Sequence, residues 1–201
     1  MTLLGISISI ASFISAFVFL SLYEHDKCNW QKITPGILLY IFVAILLPYL
    51  RISGLHNTYL LVSECALCGY IAFSAWTDMC DKYIYALPFT VLLIIYALSK
   101  IVASGDIWII ICPVIIIAVL YFGCCVIGNM GKGDMFVIAA ICLMIADVYR
   151  ILVCIAVSSV IFILSNLRNI NWHKMNLNEG QAFIPALSAG LTLTIMTIMI
   201  L

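Results

Sequence analysis

Two aspartates, Asp78 and Asp134, are the residues of this chain best placed to do chemistry. Each stands where an apolar run meets a polar stretch: Asp78 closes one run and Asp134 opens another. A carboxyl at such a border is costly unless it is solvated, paired or protonated. Two carboxyls that share one site cannot both ionise cheaply, so one keeps its proton while the other acts as base. Such a pair activates a water and protonates a leaving amide nitrogen, which is the chemistry of peptide hydrolysis. Spacing alone does not bring the two together, and two separate interfacial aspartates at helix ends are the plain alternative. Gly131-Lys132-Gly133 directly precedes Asp134. Its glycines let the backbone turn tightly and leave room for an extended substrate strand. At a helix start, Asp134 also lies in the positive end of the helix dipole.

The remaining acidic residues fit other roles. Glu24, Asp26, Asp81, Asp106 and Glu179 fall in loops or at helix ends and read as solvated. Asp81 is a rival to Asp78, three residues on and on a similar helix face. Glu64 precedes Asp78 by 14 residues, about 21 Å along a helix axis, too far to share its site. Asp147 is separated from Asp134 by a similar distance, roughly 20 Å, and is expected to pair with Arg150 as a border pair. His25, His56 and His173 lie in three different loops. By the topology below they fall on both faces, so no metal site and no cofactor is expected.

The elements that must position Asp78 and Asp134 are membrane helices. Of 201 residues, 66% are hydrophobic and 9% charged, which excludes an ordinary soluble domain. The formal net charge is zero, which argues against a nucleic-acid partner. Apolar runs of about 20 residues mark an all-α, polytopic membrane bundle of about eight transmembrane helices. The expected spans are 3–23, 33–50, 58–77, 84–104, 107–128, 134–149, 150–166 and 182–201, with Tyr149-Arg150 as the only break between the sixth and seventh. The first run has no basic residue before it and reads as a retained helix rather than a cleaved signal. With the N-terminus outside, inner loops carry Lys27, Lys32, Lys82, Lys132, Arg168 and Lys174, against Arg51, Lys100 and Arg150 outside. That positive-inside bias puts Asp78 and Asp134 together on the cytoplasmic side. Most of the nine cysteines lie in apolar runs. Cys65 and Cys68 form a C-x-x-C within a helix, where two packed thiols are expected rather than a metal site.

Three stretches, in this order, resemble the type IV prepilin peptidases. Thr77-Asp78-Met79-Cys80-Asp81-Lys82-Tyr83-Ile84-Tyr85 is similar to the family's first-aspartate segment, in which an Asp closing an apolar helix is followed six residues later by Ile and then Pro or Tyr. Gly131-Lys132-Gly133-Asp134 matches its G-x-G-D, and Phe183-Ile184-Pro185-Ala186-Leu187-Ser188-Ala189-Gly190 resembles its last-helix F-x-P…G pattern. The likeness covers residues 58–201, leaving 1–57 as a two-helix N-terminal extension of one membrane-embedded domain. It implies Asp78 and Asp134 as the catalytic pair, with Gly131, Gly133 and Pro185 toward the substrate. It also implies leader cleavage of a prepilin or pseudopilin at the cytoplasmic face of a bacterial inner membrane, without a metal. Presenilin-like peptidases share the G-x-G-D and a P-A-L, but place their aspartates on adjacent helices.

Two departures stand out. The family has Lys two residues after its second Asp, where this chain has Phe136. The methyltransferase members carry two C-x-x-C pairs between their first helices, whereas the loop from Glu24 to Lys32 holds only Cys28, so N-methylation is not expected. Two other readings compete: an ion- or proton-coupled transporter using Asp78, Asp134, Glu64 or Asp147, and a catalytically degenerate pilus-assembly factor, for which Phe136 is the argument.

Overall fold

The computed structural model describes residues 2–23, 34–51, 57–81, 84–123, 133–145, 147–166 and 183–200. Among them every regular element is helical. Eight helices follow in order: α1 Thr2–Tyr23, α2 Thr34–Arg51, α3 Thr58–Asp81, α4 Ala86–Ser104, α5 Trp108–Leu120, α6 Asp134–Ile145, α7 Val148–Asn166 and α8 Ile184–Ile200. Stretches in α1, α3, α4 and α7 are long and apolar enough to cross a membrane; the described parts of the other four are shorter apolar helices.

Local chemistry sets several of these boundaries. Asn57 Oδ1 accepts the Tyr59 amide at 3.0 Å and so starts α3. Asp106 Oδ1 does the same for Trp108 at 2.9 Å at the start of α5. Both are side-chain caps on otherwise orphaned donors. Gly105 ends α4 in the left-handed region, with its amide on the Ile101 carbonyl at 2.8 Å.

The break between the sixth and seventh helices is corrected by the same logic. It falls before Val148 rather than at Tyr149-Arg150, because Asp147 caps α7: its Oδ1 takes the Tyr149 amide at 3.0 Å and its carbonyl takes the Ile151 amide at 2.9 Å. The third helix runs four residues beyond the expected end at 77, so Asp78 sits inside its last turn.

α3 is the central helix. Leu67, Cys68, Ile71, Ala72, Phe73, Ala75 and Trp76 are all buried, and the helix packs against α1, α2, α4, α6 and α8. α1 and α2 belong to the same core as the rest: Phe13 meets Phe73 edge-on and Phe17 tilts against Trp76. Interhelical ties use small polar groups, as Ser9 Oγ donates to the Ala44 carbonyl at 2.7 Å and Ser12 Oγ to that of Ala66 at 2.9 Å. α1 and α3 touch so closely at Gly69 that a Cβ there would lie 2.1 Å from the Ser9 carbonyl oxygen. Outward-facing Leu3, Leu38, Leu87, Val102, Val119 and Leu164 form an apolar exterior that suits lipid and not water.

Candidate active site

Asp78 is buried at 7% exposure, yet it has a defined partner: the Ile184 amide donates to its Oδ2 at 3.0 Å. Ile184 is the first residue of α8, so Asp78 stands at the positive end of that helix. Pro185 follows in the first turn, where a missing N–H leaves no intrahelical bond unmade. The Leu187 amide on the Phe183 carbonyl, at 3.1 Å, closes that turn. Phe183 itself stacks edge-on against Phe162 of α7, with centroids 5.1 Å apart.

Asp134 is the first residue of α6 and is half-buried. Burial bears most on its carboxyl, and Asp78 is near enough for its charge to act there as well. The end of α3, the start of α6 and the start of α8 therefore meet at one end of the bundle. Asp81 closes α3, and its side chain lies outside the described residues, as do Gly131 and Lys132.

Gly133 gives room to a neighbouring side chain, and its backbone is not in the left-handed region. Gly105 is the positive-φ glycine among the described residues. A Cβ on Gly133 would approach Ile84 Cδ1 to 2.8 Å. Ile84 is the residue six positions after Asp78, and it packs directly on Gly133, the residue before Asp134. Its neighbour Tyr85 is held by its carbonyl, which accepts the Tyr70 hydroxyl at 3.1 Å.

Phe136 is explained by its surroundings. Its ring lies 6.1 Å from that of Phe89, which is fully buried on α4. A lysine here would set its stem and ammonium against an aromatic core.

Sequence reasoning missed Tyr40 of α2. It is buried, lies within reach of the Asp78 charge, and donates its hydroxyl to Met79 Sδ at 3.1 Å. No local signal in α2 points across to α3, so only the packed bundle shows it. The Ile184 amide was hidden for the same reason.

A second polar cluster lies at the opposite end of α3. Glu64 is buried and forms an ion pair with Arg51, which closes α2. Its other oxygen accepts the Tyr96 hydroxyl at 3.2 Å. Arg51 Nη2 also donates to the Met144 carbonyl at 3.0 Å. Lys100, buried on α4, donates to the Leu143 carbonyl and sits 5.8 Å over the Tyr96 ring. Arg51 and Lys100, counted above as outer-loop charges, are thus drawn into the bundle. Cys65 and Cys68 are buried thiols on the same stretch of α3. Asp147 and Arg150 form the expected border pair at 3.4 Å. Among the described residues no three His, Cys, Asp or Glu side chains gather as a ligand group.

The chain matches no family model, no curated protein and no solved structure.

Proposed function

We propose that this protein is a membrane aspartic endopeptidase that removes the N-terminal leader of type IV prepilins or pseudopilins, with Asp78 and Asp134 as its catalytic pair. One observation supports the reading: three stretches far apart in the chain meet at one end of the bundle. Asp78 binds the first amide of α8, Ile84 fills the space beside Gly133, and the Asp78 charge acts on Asp134. In the reaction, one carboxylate takes a proton from a water as its oxygen attacks the scissile carbonyl. The other carboxyl gives its proton to the leaving amide nitrogen, so the C–N bond breaks with charge balanced. Neither step asks for a redox partner or a group transfer.

In this reading the bundle crosses a bacterial inner membrane about eight times with its N-terminus outside. The aspartates then face the cytoplasm, where a basic leader meets them. Cleavage is not followed by N-methylation.

A transport reading would use Asp78, Asp134, Asp147 or Glu64, of which Glu64 is the most deeply buried acid among the described residues. Both Glu64 oxygens are occupied, by Arg51 and by Tyr96, which suits a fixed structural anchor better than a carrier that must gain and release an ion. Leader cleavage of a co-expressed prepilin, read as a mobility shift, tests the proposal. Wild type is expected to cleave, and Asp134→Ala and Asp78→Ala are not. Unprocessed prepilin with the wild type, across a panel of pilin and pseudopilin substrates, overturns it.

A further inference from the structure

α6 carries Asp134 at one end and is nearly featureless along its length. From Met135 to Ile145 it offers only apolar side chains and Cys142, and eight of these residues are buried. A helix that is apolar all round has no stripe to fix its depth among apolar neighbours. Sliding it by one residue moves it about 1.5 Å and exchanges one apolar contact for another.

Its far end is different. Arg51 Nη2 binds the Met144 carbonyl at 3.0 Å, and Lys100 Nζ binds the Leu143 carbonyl. These are cations on the last carbonyls of a helix, where both the unmet acceptors and the dipole favour positive charge. Neither cation is loose. Arg51 is paired to Glu64 of α3, Glu64 takes the Tyr96 hydroxyl, and Lys100 sits over the Tyr96 ring. Glu64 and Asp78 lie on the same rigid helix, about 21 Å apart along it. α3 and α6 are therefore two antiparallel rods tied together at one end, with a candidate carboxyl at the other end of each.

We propose that Arg51 and Lys100 are positioning residues: they form an axial stop for α6 and so set the depth of Asp134 against Asp78. This rests on the peptidase reading for its consequence in turnover, but the stop itself is a statement about geometry. It predicts that weakening either cation displaces Asp134 while leaving the substrate-binding surfaces in place.

Two measurements on the full-length protein test it. In the first, leader cleavage in detergent is followed for Lys100→Met and for Arg51→Gln/Glu64→Gln, the double change removing both charges of the ion pair together. The expected result is a fall in kcat on the order of 10- to 100-fold, KM within about threefold of wild type, and Arg51→Lys retaining most of kcat. Unchanged kcat, or KM and kcat lost together with no rescue by lysine, overturns the proposal.

The second measurement needs no activity. Asp78→Cys/Asp134→Cys is bridged with dibromobimane and the bridged peptides are mapped by mass spectrometry, with and without Lys100→Met. A lower bridging yield with Lys100→Met supports the stop even where the wild type cleaves nothing, an outcome that counts only against the peptidase reading. An equal yield overturns the stop even where the wild type cleaves well.

Discussion

The backbone amide of Ile184 donates to Asp78 Oδ2 at 3.0 Å, joining residues 106 apart in the chain. Asp78 is thereby a structural as well as a chemical residue, because it satisfies the first donor of α8 in a buried place. Asp134 has no such bond among those the structure describes. Removing Asp78 orphans that donor at a cost of about 1–3 kcal/mol. Asp78→Ala is therefore expected to lower the thermal midpoint more than Asp134→Ala, while both abolish cleavage. Asp78→Asn keeps an acceptor and is expected to recover most of the stability but none of the activity. Equal melting of the two alanine variants would show that the bond contributes little.

Gly133 and Ile84 form the second contact between separated stretches. An added Cβ meets the flexible end of Ile84 at 2.8 Å, so Gly133→Ala is expected to be active but slowed. Ile84→Ala in the same chain should restore the rate by reopening the space. Gly133→Val, branched at Cβ, is expected to insert normally and to cleave nothing. Wild-type cleavage by Gly133→Val would remove the steric argument for this glycine.

Phe136→Lys restores the residue type that the resemblance leads one to expect, but it places an ammonium beside buried Phe89. A cost of about 1–3 kcal/mol in stability is expected, with no gain in cleavage rate. A thermal melt and a rate measurement on the same preparation check both halves. A faster and equally stable variant would mean that the aromatic contact is dispensable.

Gly69 lies where α1 and α3 are in close contact. A Cβ there would stand 2.1 Å from a backbone carbonyl oxygen of Ser9, and backbone cannot rotate away as a side chain does. Gly69→Ala is expected to cost about 1–3 kcal/mol through overpacking. The melting midpoint should fall with no change in KM for a leader substrate.

The apolar runs made eight helices legible, because long stretches of mostly apolar residues leave the backbone few other ways to satisfy itself away from water. Asp78 and Asp134 were legible as helix-end carboxyls, because each stands at the border of an apolar run. The start of α7 departs from the expected break for a local reason: Asp147 both pairs with Arg150 and caps the Tyr149 amide. What could not be read was everything that runs between helices. Tyr40, the Ile184 amide and the Ile84–Gly133 contact leave no periodic trace, and α6 is too uniformly apolar to show which side faces α3. Arg51 and Lys100 read as loop charges because a count by position cannot see a long side chain turned inward toward helix carbonyls.

The two-carboxyl mechanism sets the pH response. One group must be ionised and the other protonated, so cleavage should fall on both sides of a maximum, and the two limbs belong to the pair rather than to either residue. A profile with a single limb from pH 4 to 10, taken with substrate saturating, would contradict shared use of the two groups.

The most direct test of the account is leader cleavage of a purified prepilin by the wild type and by Asp134→Asn under the same conditions. Asparagine is nearly isosteric with aspartate but does not titrate, so insertion, melting and substrate binding should stay as they are. The account predicts a shortened pilin with the wild type and an intact one with the variant. Equal cleavage by both would contradict it.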